Sequence, residues 1–400
     1  MSADHLPSIT GAGSTRSSES PWAGLVVMSA SNGWTGMRMQ DRHIAEPLSR
    51  FAPVLYVDPP LSPLARWRNP KRAEALREAR MRQVAPNLAR LSPVVAPGIE
   101  RAALNKLNTA ILRRTVRRAV HQLGGPVRAV IDSCPTLPVL GSCDEQLKVF
   151  WAQDDFVANA ELVGVSPELA AAGEWWLADH ADVIIASTPL VAETWKARGY
   201  DPLLIPYGCD GEQYVHVDDA PLPADVHLPS PVVGVVGHIG ERIDTELLIA
   251  VADRGHSLLL VGARNPNFDI ERLGQLMARP NVTWVGPKEF EQLPGYLRMI
   301  DVGLVPYNDS AFNRASFPLK TLEYLAAGRA VVATDLPATR WLDTDLVDIA
   351  TGPRDFADAV DRALALSRSA ELMRRRQAFA AEHTWARRAE AFATALGISG

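Results

Sequence analysis

Residues 24–60 read GLVVMSASNGWTGMRMQDRHIAEPLSRFAPVLYVDPP. The first seven form a short apolar run, the mark of a buried strand. NGWTG (32–36) interrupts it with two glycines, and MRMQDRHIAEPLSRF (37–51) sets Ile44 and Leu48 four apart, the spacing of one helix face. APVLYVDPP (52–60) is apolar again and is stopped by two prolines. Strand, glycine loop, helix and strand make a βαβ unit, with strands parallel because the helix carries the chain back.

The alternation continues on both sides of one polar break. Strands are expected at 87–95, 127–133, 146–152, 182–188 and 202–208, with helices at 103–124, 173–181 and 189–199. CDGEQYVHVDDAPLPADVHLPS (209–230) is polar and holds three prolines, the composition of a linker. The pattern restarts at PVVGVVG (231–237), with further strands at 256–262, 282–286, 301–307 and 330–334. Helices are expected at 243–255, 269–278, 290–300, 319–328, within 354–383, and at 384–396. The fold class is therefore α/β, as two doubly wound Rossmann-like domains facing a cleft. A tail occupies 1–20, too rich in Ser, Thr and Gly to bury a core, and the domains span 21–208 and 209–383. The segment 384–400 is a C-terminal helix expected to pack back on the first domain. The tail contains GAGSTR, a fragment of a dinucleotide fingerprint, but no strand precedes it and it is set aside.

A length of 400 residues suits two domains at roughly 100–200 each. The net charge is −5, unevenly spread: residues 61–120 carry 14 Lys and Arg against three Glu. Such a block is either a solvated helix face or a contact for an anionic partner such as a membrane surface. Three cysteines without a CxxC spacing imply neither a disulfide framework nor a zinc site and fit a reducing cytoplasm. Neither a signal peptide nor an apolar run of membrane-spanning length stands out.

The chemistry concentrates in SFPLKTLEYLAAGRAVVATDLP (316–337). Ser316 can cap a helix and Pro318 suits its first turn, while Leu319, Leu322 and Leu325 face a sheet. Lys320 and Glu323 lie three apart on another face. A lysine at a helix N-terminus, already positive, makes a site for a phosphate group. Glu323, one turn deeper, can accept two hydrogen bonds from a vicinal diol such as ribose. The alternative is an i, i+3 ion pair worth a few tenths of a kcal/mol.

This run resembles the signature of retaining glycosyltransferases of the GT-B fold, the large family 4, in the branch of teichuronic-acid-type enzymes. NGWTGMRMQ with VLYVDPP, FWAQDDF, EWWLADHADVIIASTPL, LIPYGCDGEQY and VVGVVGHIGERIDTELL resemble other segments of that branch, in order, over about residues 22–390. The resemblance implies that Glu323 holds the donor ribose and that Lys320 and Arg242 contact the diphosphate, helped by backbone N–H groups near Gly237 and Leu319. It implies that Gly33 leaves room for the sugar phosphate, and that Asp154 and Asp155 lie at a strand end near donor sugar and acceptor. Two positions depart from the wider family. A sugar-reading glutamate is replaced by Ala315, so Asn313 is the expected substitute. An arginine and a lysine after the first strand of the second lobe are replaced by His238 and Asp244, so Arg242 must serve. His238, after a strand at a glycine loop, joins Asp154 and Asp155 as a candidate catalytic group, with a surface histidine and a simple turn as the alternatives. His43 is expected on a helix surface, Trp175 and Trp176 in core and interface packing, and DTD (343–345) in a loop rather than a metal site.

The implied activity is transfer of a sugar from a nucleoside diphosphate sugar to an acceptor glycan, a lipid-linked glycan or a small molecule, with retention. No metal, cofactor or nucleic acid is called for. Peripheral contact with the inner face of the plasma membrane would run through residues 61–120. Two rivals use the same fold: a nucleotide-sugar epimerase, which needs no acceptor, and a non-catalytic nucleotide-sugar-binding partner protein, which binds without turnover.

Overall fold

The computed structural model describes residues 20–35, 38–63, 80–99, 101–154, 156–160, 165–317 and 319–398. Residues 1–19 of the expected tail, Asp155, Pro318 and the 64–79 part of the basic block lie outside the described residues.

The first lobe is built on eight strands: β1 (Leu25–Ser29), β2 (Val54–Val57), β3 (Met81–Ala85), β4 (Leu88–Leu91), β5 (Val127–Asp132), β6 (Leu147–Ala152), β7 (Val183–Ala186) and β8 (Leu203–Leu204). Their spatial order is β3-β4-β2-β1-β5-β6-β7-β8. All neighbours are parallel except β3 and β4, which pair antiparallel. The second sheet holds β9 (Val232–Val236), β10 (Ser257–Val261), β11 (Val282–Trp284), β12 (Ile300–Val305), β13 (Ala330–Thr334) and β14 (Val347–Ala350), in the order β11-β10-β9-β12-β13-β14. Every pair in it is parallel. The order reverses direction beside β1 in one sheet and beside β9 in the other, and ligands of such sheets bind at those switch points, beyond the strand carboxyl ends.

Several expectations needed correction. Edge strand β3 was not foreseen, because Arg82 and Gln83 are exposed and its sequence lacks an apolar face. The strand expected over 202–208 shrinks to Leu203–Leu204, since only Ile185 and Ala186 stand opposite. Strand β14 and the short helices Ala311–Ala315 and Pro337–Trp341 were also missed, being too short to display a period. Ser316 ends the Ala311–Ala315 helix instead of capping the next one, and among the described residues its hydroxyl has no hydrogen-bond partner. Trp175 is 43% exposed and is not core, whereas Trp176 is partly buried and packs against the core of the first lobe.

The helix Leu319–Ala326 buries Leu322, Tyr324 and Leu325 against the second sheet. Gly303 of β12 lies opposite Gly234 of β9, which clears a flat patch. The Tyr324 ring occupies it so closely that a Cβ at Gly303 would stand 2.2 Å from a ring carbon. Its hydroxyl accepts from Val236 N at 2.8 Å and donates to Gly234 O at 3.3 Å. Gly328, at φ +72°, closes the helix in the left-handed region, where its N–H meets Leu325 O and Arg329 N meets Tyr324 O.

The two lobes are joined twice. The chain leaves the first lobe at Gly208–Cys209 and returns at His383–Trp385, and the crossings bond to each other: Cys209 N to His383 O at 2.8 Å and Trp385 N to Cys209 O at 3.2 Å. The last helix, Trp385–Ala395, then packs on the first lobe. Phe392 meets Trp151 edge-on at 5.0 Å, Trp385 stacks on His43 at 4.8 Å, and Arg128 Nε donates to Leu396 O at 2.8 Å. His43 is therefore buried at the lobe junction, not on the surface, with Nδ1 3.5 Å from Asp210 Oδ1.

Gly303→Ala should push Tyr324 off its patch and cost about 1–3 kcal/mol, the usual cost of overpacking a core. Urea unfolding checks it; an unchanged midpoint would show that the ring does not need the gap.

Candidate functional site

The carboxyl end of β9 opens into Gly237–Gly240. Gly262, at φ +142°, lies so close beneath that a Cβ there would stand 1.8 Å from Gly237 O. Ile239 is fully buried, which leaves His238 exposed on the loop. Arg242 follows. Its guanidinium lies 4.5 Å over the Tyr307 ring and 5.0 Å over Phe312, and Nε donates to Asn313 Oδ1 at 2.8 Å. Among the described residues no carboxylate pairs with it. Asp244 is occupied elsewhere: it caps the next helix through Glu246 N at 3.0 Å.

Asn313 was expected to read the sugar. It is 0% exposed, and its carboxamide is committed. Oδ1 takes Arg242 Nε, while Nδ2 donates to Arg242 O, Asn308 O and Asn308 Oδ1, each at 2.9 Å. With both ends so used, Asn313 orients Arg242 and has no group free for a sugar hydroxyl.

Lys320 reaches across Gly237, where a Cβ would sit 3.7 Å from its Cε. Its Nζ is 2.6 Å from Glu323 Oε2, so the i, i+3 ion pair is formed. Burial works against the ammonium, but Glu323 and, behind it, Tyr307 and Asp210 outweigh burial and hold Lys320 above the ordinary lysine range. The Leu319 N–H is spent on Phe317 O at 2.9 Å, so the expected help from that amide is lost. The amides that follow in the first turn have no carbonyl within the helix to serve.

In the first lobe, Gly33 is exposed at the tip of the loop after β1. The loop is pinned from below. Trp34 N donates to Asp58 Oδ1 at 2.7 Å, and Asp58 Oδ2 accepts from Arg90 Nε at 2.7 Å and Ser92 Oγ at 2.6 Å. Asp41, fully buried, accepts from Asn32 Nδ2 at 2.8 Å, Ser133 Oγ at 2.9 Å and Gln153 Nε2 at 2.7 Å. Burial pushes its carboxyl above the usual range, against the pull of those donors. Gln153 Oε1 accepts from Ser31 Oγ at 2.7 Å, and its carbonyl from the Tyr207 hydroxyl at 2.8 Å. Sequence patterns did not point to Asp41, Gln153 or Tyr207. Asp154, half-buried, comes next in the chain. Tyr207 is held well above the usual tyrosine range by burial first and the Asp154 charge second, with Arg242 acting the other way.

Asp132, the last residue of β5, is buried and accepts from Cys134 N at 3.0 Å and Val139 N at 2.6 Å. Burial pushes its pKa up to about 6, from 3.8. A proton therefore binds the folded chain more tightly. The group's stabilising contribution is complete below pH 3.8 and is lost as pH rises through about 6. The difference is worth about 3 kcal/mol. Urea unfolding on both sides of that window should find the gap between wild type and Asp132→Asn moving by that amount in favour of the variant as pH rises; a constant gap refutes it.

Residues 230–366 match a family model described as glycosyl transferases group 1. A putative teichuronic acid biosynthesis glycosyltransferase, TuaH, from Bacillus subtilis (strain 168) is 36% identical over 138 residues, or 33% of this chain and 34% of the relative. The match thus spans about a third of that relative's length. Among solved structures, sucrose-phosphate synthase from Thermosynechococcus elongatus superposes with a TM-score of 0.69 at 18% identity, covering 93% of this chain and 98% of that one. Anabaena HepE in complex with UDP superposes with a TM-score of 0.63 at 14% identity, covering 93% and 99%. The fold is GT-B, and residues 230–366 of the second lobe are similar to the group 1 glycosyl transferases.

Proposed function

We propose that the protein is a glycosyltransferase that moves a sugar from a nucleoside diphosphate donor to an acceptor glycan, a lipid-linked glycan or a small molecule, with retention. One observation carries this reading: Arg242, without a carboxylate partner among the described residues, and Lys320 stand beyond the ends of β9 and β12, with Glu323 one helical turn behind Lys320. The group 1 match and the UDP bound by the Anabaena protein support a nucleotide-sugar donor.

In this scheme the diphosphate sits against Lys320, Arg242 and the first-turn amides of the Leu319–Ala326 helix. Negative charge grows on it as the glycosidic bond breaks, and fixed cations there lower the barrier because they need no reorganisation. Glu323 turns from Lys320 to the ribose hydroxyls once phosphate takes its place at the ammonium. Gly33 leaves room for the sugar phosphate. Asp154, Asp155 and His238 attend the donor sugar and acceptor. The acceptor lobe meets an anionic bilayer on the cytoplasmic side through the basic block. Within it, the Ala102–Leu123 helix exposes Lys106, Arg114, Arg117 and Arg118 and contains no acidic residue. No helix among the described residues is long and apolar enough to cross a membrane.

A thermal-shift panel of UDP, GDP, ADP and dTDP sugars should single out one donor that raises the melting temperature. Lys320→Met and Glu323→Ala should each weaken it about ten- to a hundredfold, the worth of a hydrogen bond to a charged group. Unchanged affinity in both variants would end the proposal. Turnover of donor without acceptor would favour the epimerase, and binding without any turnover the partner protein. For the membrane contact, flotation with anionic vesicles should fall on Arg114→Gln/Arg117→Gln/Arg118→Gln and be absent with neutral vesicles. Equal, negligible flotation with both would remove that part.

A further inference from the structure

We propose that the first lobe carries a second ligand site, lined by residues of that lobe alone, built for a phosphate monoester with an apolar body. The site is a recess of about 440 Å³ between the helices Ala102–Leu123 and Pro167–His180, floored by the loop after β5. That volume suits a small organic ligand. Lys106, Thr109 and Arg113 line one wall, Leu169 and Trp176 the other, and Pro135 the floor.

The charge of the recess is unbalanced. Among the described residues no carboxylate lines it, and the lysine-bearing helix has none along its whole length. Among the described residues Lys106 makes no ion pair. Arg113 is held still: its Nε donates to Pro138 O at 3.0 Å, and its guanidinium lies 4.9 Å over the Trp176 ring, which stacks in turn on His180 at 4.0 Å. A guanidinium fixed by Nε and by one face offers its outer N–H fork to a ligand, the geometry that pairs with two phosphate oxygens. Lys106 stands two turns earlier on the same helix, about 10 Å along the axis, within reach as a mobile second cation. The floor is rigid because Asp132 fixes the loop at Cys134 N and Val139 N. A dianion matches the two cations, and Leu169 with the open part of Trp176 accepts the apolar remainder.

Calorimetry with phenyl phosphate, with phenol as the uncharged control, tests the soluble source. Flotation with vesicles of equal parts phosphatidic acid and phosphatidylcholine tests the lipid source. Saturable binding in either arm that drops about tenfold or more in Lys106→Gln and in Arg113→Gln supports the site, and the responding arm names the source. Lys106 is exposed, so its variant keeps the test valid should Arg113→Gln disturb the loop. Binding that both variants retain, that neither probe displays, or that Arg114→Gln/Arg117→Gln/Arg118→Gln abolishes as fully as the recess variants overturns the proposal. Loss of phenyl phosphate binding in Lys320→Met would also overturn it, by assigning the anion to the cleft. Retention there separates this site from the donor reading.

Discussion

The Tyr324 ring lying on Gly303 sets the geometry of the second lobe. Its hydroxyl binds both Val236 N and Gly234 O, so the helix cannot slide along the sheet without breaking two buried hydrogen bonds. Lys320 stands one turn nearer the helix start on nearly the same side. With Tyr324 over the sheet, Lys320 must overshoot the end of β9 and land on Gly237, where the strand has stopped and its loop begins. A packing contact between an aromatic ring and a glycine thus decides where a cation goes.

The other groups at the junction are placed in the same indirect manner. Arg242 is aimed by Asn313, a buried amide that also bonds Asn308. The loop bearing Gly33 is aimed by Asp58 and Asp41, buried carboxylates whose oxygens are taken by neighbours. Buried polar groups of this kind fix one arrangement because any other would leave them unpaired. The paired crossings at Cys209 and His383–Trp385, with the last helix returned to the first lobe, hold the two halves in register.

Much of this was visible in the chain. The βαβ alternation and the Lys320–Glu323 spacing each rest on a local period. The misses share one cause, which is that their signals are not local. Strand β3 is polar and owes its existence to β4 beside it. Strand β8 ends where β7 stops offering partners. Asn313 looked like a ligand contact because its sequence position suited one, whereas its carboxamide is filled by an arginine 71 residues away. Ser316 looked like a cap, but a short helix before it had already claimed the residue. Asp41 drew no attention on a helix, yet it meets Gln153 across 112 residues.

The sequence by itself determined the class of fold, two parallel α/β lobes, because apolar periodicity is written within a dozen residues and burial follows from it. It also determined that a lysine and a glutamate share one helix end. Only the tertiary structure decided which groups remain available to a ligand. Availability depends on what each donor and acceptor has already bound, and those partners arrive from distant segments once the sheets are assembled.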